Sequence, residues 1–185
     1  RLTSHPADEG RSAFSPDGRW LVFESDRDGA TNLYVAALGG VGGEGGSIVA
    51  GEARRITVSD RAQTLGGWTA DGSGVLFAGG QSPTLHRPPR MYFAPVDGGP
   101  TRLLGGMHGS RPRAIGGAGP GRMKMLFSRG GGSGTVDYRP AYRGSGQVDV
   151  WSADLPAPGT EGEARFTRVT TDPAHDGEPF GRSEE

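Results

Sequence analysis

The side chains able to do chemistry in this chain are few and scattered. His5, His86, His108 and His175 fall in loop-like sequence at no metal-ligand spacing, so a structural or solvent-exposed role is expected for them rather than catalysis. Ser133 sits in "GGGSGT", which lacks the closing glycine of a G-x-S-x-G elbow. Gly40, Gly42 and Gly45 satisfy G-x-G-x-x-G, but "GSIVAGE" after them is too short and glycine-rich for the helix that would receive a pyrophosphate. Lys124, the sole lysine, lies inside an apolar run, so no Walker motif is possible. "DRDGATN" (26–32) resembles the start of a calcium loop, yet Gly29 is fourth rather than sixth and position twelve, counted from Asp26, is Ala37. A tight Asp-Gly hairpin turn is the expected role. These readings assign no catalytic residue, no metal and no cofactor. What remains is "VDYRPAYRGSGQVDVW" (136–151), where Tyr138, Arg139, Tyr142 and Arg143 share one loop. Aromatic and arginine residues concentrate in binding surfaces, so these four are the candidate binding residues; the competing role is to staple a long connection onto a neighbouring element.

The elements that must carry these residues are short. In 185 residues there are 35 glycines and 14 prolines, and only 33% of the chain is hydrophobic. The apolar residues nevertheless cluster in runs such as "WLVF", "NLYVAAL", "GVLF", "RMYFAPV", "MKMLF" and "VDVW", a pattern of strands between turns. No stretch keeps helical periodicity over three turns, which makes the chain all-β. Twenty basic and 21 acidic residues leave a net charge of −1 without single-sign blocks, so neither nucleic acid nor a membrane surface is expected as a partner. The absence of cysteine excludes disulfides and thiolate sites and suits cytoplasm and periplasm alike. A start at Arg1 without methionine and an end in "GRSEE" read as an interior piece of a longer chain.

Three sequence elements recur in fixed order. A turn and apolar strand end at Phe23 ("SPDGRWLVF"), Phe77 ("TADGSGVLF") and Phe127 ("GAGPGRMKMLF"), 54 and 50 residues apart. An aromatic strand follows, with Tyr34, Tyr92 and Trp151 at steps of 58 and 59. A short basic strand closes each unit: "RRIT" (54–57), "TRLL" (101–104) and "TRVT" (167–170). A period of 40 to 60 residues built of four short strands is the signature of a β-propeller blade. Blades are expected over residues 9–57, 63–104 and 110–170, with a further one starting at 176–185, in a parent propeller of six. Leu21, Phe23, Leu76, Phe77, Leu126 and Phe127 are expected to pack between blades.

The units "RLTSHPADEGRSAFSPDGRWLVFESDRDGATNLYVAALGG" and "ARRITVSDRAQTLGGWTADGSGVLFAGG" resemble TolB-type, WD-like propeller repeats. Within that class they look most like the N-terminal propeller of tricorn-type serine proteases, through the pairing of "RLTSHP" with "SPDGRWLVF", the "GGWTADG" turn and the loop "YRGSGQVDVW". That loop resembles an Arg-Tyr-x-Gly-Gly segment entering an Asp-x-Trp strand, with Ser145 in place of the second glycine. The resemblance implies a large peptidase whose propellers gate or guide peptides toward a separate catalytic region carrying serine, histidine and acidic residues. The implied partners are the remaining blades and catalytic domains of the parent chain, a peptide substrate and a homo-oligomer. It favours the cytoplasm, with the periplasm as the alternative. Other functions implied by the same repeats are a TolB-like periplasmic interaction scaffold and a propeller fused to a prolyl-oligopeptidase-type hydrolase or an amidohydrolase.

Overall fold

The reversals repeated in the sequence share a left-handed glycine. Gly18, Gly72 and Gly121 have φ of 70°, 69° and 68°, the left-handed region open to a residue without a Cβ. Gly18 and Gly72 each donate a backbone hydrogen bond three residues back, to Ser15 O at 2.9 Å and Thr69 O at 3.1 Å. The third turn has lost the Ser-Pro-Asp of the first and keeps the glycine angle, but its hydrogen bond runs from Arg122 N to Gly119 O at 3.1 Å, and the apolar strand starts directly after the glycine instead of two residues on.

The computed structural model describes residues 5–39, 49–80, 89–116, 118–130 and 148–171. The first sheet holds β1 (Glu9–Phe14), β2 (Trp20–Ser25) and β3 (Asn32–Gly39), and its fourth position is shared by β4 (Val49–Ala50) and β5 (Arg54–Arg55). Both short strands pair with β3, at Leu38↔Ala50 and Val35↔Arg54, so they are one strand interrupted by a one-residue shift. The second sheet is β6 (Gln63–Trp68), β7 (Gly74–Gly79), β8 (Arg90–Pro95) and β9 (Arg102–His108). The third is β10 (Ser110–Ile115), β11 (Arg122–Gly130), β12 (Val148–Pro156) and β13 (Arg165–Arg168). Every sheet is an antiparallel meander in which each strand pairs with its neighbours in sequence, the architecture of propeller blades. The first strand of each carries a bulge, between Glu9 and Ser12, Leu65 and Gly67, and Ser110 and Arg113.

Strand alternation decides what each blade shows its neighbours. Val22, Leu33 and Val35 of the first blade meet Leu65, Trp68, Val75, Phe77 and Tyr92 of the second in one buried cluster. Leu76, Met91, Phe93 and Leu104 on the opposite face of the second blade meet Met123, Met125, Phe127, Ala153 and Leu155 of the third. Leu76, Phe77 and Phe127 therefore pack between blades as expected. Among the described residues Leu21 and Phe23 meet no other blade: they are buried with Tyr34 and Ala36 on the face of the first blade turned away from the second. Leu126 is half-buried and out of phase with Met125 and Phe127, so it too faces away from the second blade. The closing strand of the third blade is Arg165–Arg168 rather than 167–170, because this register sets Phe166 opposite Ala153 and edge-on to Phe127, with ring centroids 6.3 Å apart.

Polar ties cross the first junction. Trp68 Nε1 donates to Ala13 O at 3.0 Å, the Gln63 amide to Thr31 O at 2.8 Å, and Arg54 Nη2 to Val96 O. Glu24, buried on β2, accepts the Leu65 amide at 2.7 Å and lies 3.5 Å from Arg11 Nη1. Replacing Glu24 by alanine leaves a buried amide without an acceptor, which costs about 2 kcal/mol. E24Q keeps the acceptor and should lose less than half of that; urea unfolding of the two variants measures the difference.

Candidate functional site

The side of the junction between the second and third blades that carries the strand 1 to strand 2 turns is open. One wall is the β6–β7 turn, where Asp71 Oδ1 accepts the Ser73 amide at 3.1 Å and the Ser73 hydroxyl at 2.8 Å. Burial pulls the Asp71 carboxyl upward, but the Thr69 and Ser73 hydroxyls and the Ser73 amide outweigh it. The carboxyl is held below its ordinary value and is ionised at neutral pH.

The other wall is the end of β10 and the start of β11, with Ala114, Ile115, Gly116, Ala118, Met123 and Lys124, and the floor extends to Ala157 and Pro158. Arg122 braces this wall: Nε bonds the Asp154 carboxylate at 2.5 Å, and Nη2 bonds Asp154 O at 2.8 Å and Glu163 O at 3.1 Å. Between the walls lies a cleft of about 240 Å³. It has an apolar floor, a carboxylate on one rim and basic residues on the other, and it can hold a side chain.

The residues singled out in the sequence fall elsewhere. Tyr138, Arg139, Tyr142 and Arg143 lie outside the described residues, as do His86 and His175. Their loop joins Gly130 to Val148, a cross-strand pair at the opposite end of β11 from the cleft. Beside that end Arg129 stacks over the Trp151 ring at 5.0 Å. His5 Nδ1 accepts the Ala7 amide at 3.1 Å, and His108 ends β9 opposite Arg90. Among the described residues no three His, Asp or Glu side chains converge as a metal site would require.

The acidic segment 26–29 is a turn. Gly29, with φ of 104°, donates to Asp26 O at 2.8 Å, and Asp26 Oδ1 accepts the Asp8 amide at 3.1 Å. Asp28 Oδ2 accepts the Tyr34 hydroxyl at 2.6 Å and lies 3.4 Å from Arg55 Nη1. Burial, then the bond to Asp28, pushes the Tyr34 phenol up to about 12, and the same bond lowers the Asp28 carboxyl. Arg27 lies over the Phe23 and Tyr34 rings at 5.2 and 4.5 Å and bonds Glu9 at 2.7 Å. These carboxylates are engaged in closing the first blade.

Sequence reasoning missed the cleft. The signal was available in the repeat: counting back from Phe77 and Phe127 along the paired strands, Trp68 and Ala114 occupy the same place. No family model matches the chain, and no curated protein matches it. Among solved structures it is similar to the crystal structure of TolB from Acinetobacter baumannii, at 17% identity and a TM-score of 0.48 over 88% of this chain. The chain spans about a third of that protein's length, 33%.

Proposed function

We propose that this chain is a non-catalytic propeller segment of a tricorn-like serine peptidase, which guides or gates peptides toward a catalytic region elsewhere in the parent protein. The observation that carries this reading is the loop "YRGSGQVDVW", whose resemblance to the tricorn-type segment is the most family-specific feature of the sequence. Its last residues, from Val148, lie in β12. The blade repeats and turn chemistry suit a scaffold equally, and a TolB-like interaction scaffold is the second reading, favoured by an open inter-blade cleft that can hold a partner's side chain.

The test is the double variant Y142A/R143A in the full-length parent protein. Peptide turnover should fall by roughly tenfold, the loss expected for a contact that carries binding energy, with the melting temperature unchanged. Unchanged turnover, or an equal loss of stability, assigns the loop to stapling and removes the support for peptide guidance.

A further inference from the structure

We propose that the cleft between the second and third blades is an acceptor for an aromatic side chain, tryptophan-sized, of an extended partner polypeptide. The chain itself supplies the template one junction earlier. There, Trp20 on β2 packs against the cluster that contains Trp68 of β6, and the Trp68 indole N–H bonds Ala13 O. The strand registers put Gly74 where Trp20 stands and Ala114 where Trp68 stands. Part of the room left by the smaller residues is taken by Phe93, whose ring carbon lies 2.5 Å from where a Gly74 Cβ would be. The place of Trp68 is left open: Ala114 stands in the wall of the cleft.

Its chemistry matches an aromatic anchor. Met123 offers a thioether to a ring, and Ala114, Ile115 and Pro158 supply apolar contact. Asp71, ionised, and the Ser73 hydroxyl stand at the rim, able to accept an indole N–H or a phenol O–H, the polar tip that tryptophan and tyrosine need satisfied when buried. At about 240 Å³ the space falls below that of enclosed small-molecule pockets, and its rim residues Ala70, Asp71, Ser73, Gly116 and Ala118 are exposed. Such a site buries one side chain and leaves the backbone that carries it outside. It requires no catalytic region and stands apart from the peptidase reading.

The test uses this chain and fluorine NMR of N-acetyl-5-fluorotryptophan amide, with competition by the pentapeptides Gly-Gly-Trp-Gly-Gly and Gly-Gly-Ala-Gly-Gly. The probe should bind with a dissociation constant on the order of 1 mM, the tryptophan peptide should displace it more strongly than unlabelled N-acetyltryptophan amide does, and the alanine peptide should not displace it. The variant A114W should fold with an equal or higher melting temperature and bind the probe at least tenfold more weakly; A114L should weaken it as well. Absence of binding, binding undiminished in A114W and A114L, or an A114W that does not fold would overturn the proposal. Displacement no stronger by the tryptophan peptide than by the free amide would make the cleft a small-molecule site and overturn the assignment to a polypeptide.

Discussion

Replacing Gly66 by alanine should lower the melting temperature by roughly 10 °C, the shift expected for a loss of about 3 kcal/mol in a chain of this size. A Cβ at Gly66 would overlap the Pro112 carbonyl oxygen and come within 2.8 Å of Leu76 O. Both neighbours are backbone, on β10 of the next blade and β7 of the same one, so neither can rotate aside. Relief requires the second and third blades to part along their first strands, which also loosens the cluster around Leu76, Met91 and Phe127. G80A and G116A are the controls: a Cβ at either meets nothing within 4 Å, and their melting temperatures should stay within a degree or two of the parent. Thermal unfolding followed by circular dichroism reads all three, and a G66A variant as stable as the controls would remove the close backbone approach as a stabilising feature.

Trp68→Ala should cost about 3–5 kcal/mol, the range for truncating a large buried aromatic side chain. Trp68 is 8% exposed, packs in the cluster shared by the first two blades, and spends its indole N–H on Ala13 O. W68F separates the two contributions: it keeps most of the apolar contact, loses the hydrogen bond and should cost about 1–2 kcal/mol. Urea unfolding of both variants checks the order, and equal losses would mean that the hydrogen bond, not the packing, holds the indole. Because Gln63, Leu65 and Arg54 still bond across the junction, W68A should remain folded.

The blades were legible because turn chemistry and strand period agree. Asp17-Gly18 and Asp71-Gly72 mark reversals, and alternating runs between them can only be strands with two buried faces. Which face went where was harder to read. Leu76 and Phe77 are neighbours in sequence and belong to different junctions, and Leu126 escapes the expected burial because the third blade turns that phase away from the second. The closing strand of the third blade lies two residues before "TRVT", which repeats the basic pattern, because the register answers to Phe166 packing on Phe127. The cleft was overlooked for a related reason. It is marked by a small residue at a place where a repeat has a large one, and attention to aromatic and charged side chains passes over an alanine. Tyr138, Arg139, Tyr142 and Arg143 stood out by residue type alone and lie outside the described residues.

The meander within each sheet also bears on how the chain reaches its fold. Each ladder within a blade joins strands adjacent in sequence, so the loops that must close to form a blade run to 17 residues at most and lose less entropy on closing than the longer spans between blades. Contacts between blades, such as Trp68 on Ala13 and Gly66 beside Pro112, span 55 and 46 residues. Hairpins accordingly have the kinetic advantage, and docking of one blade on the next is the later event. The aromatic pairs Phe23–Tyr34 and Phe77–Tyr92, stacked within their own blades, can assemble before any neighbour arrives. During synthesis each blade can thus bury part of its surface while the following one is still being made, which shortens the interval in which bare sheet faces meet other chains.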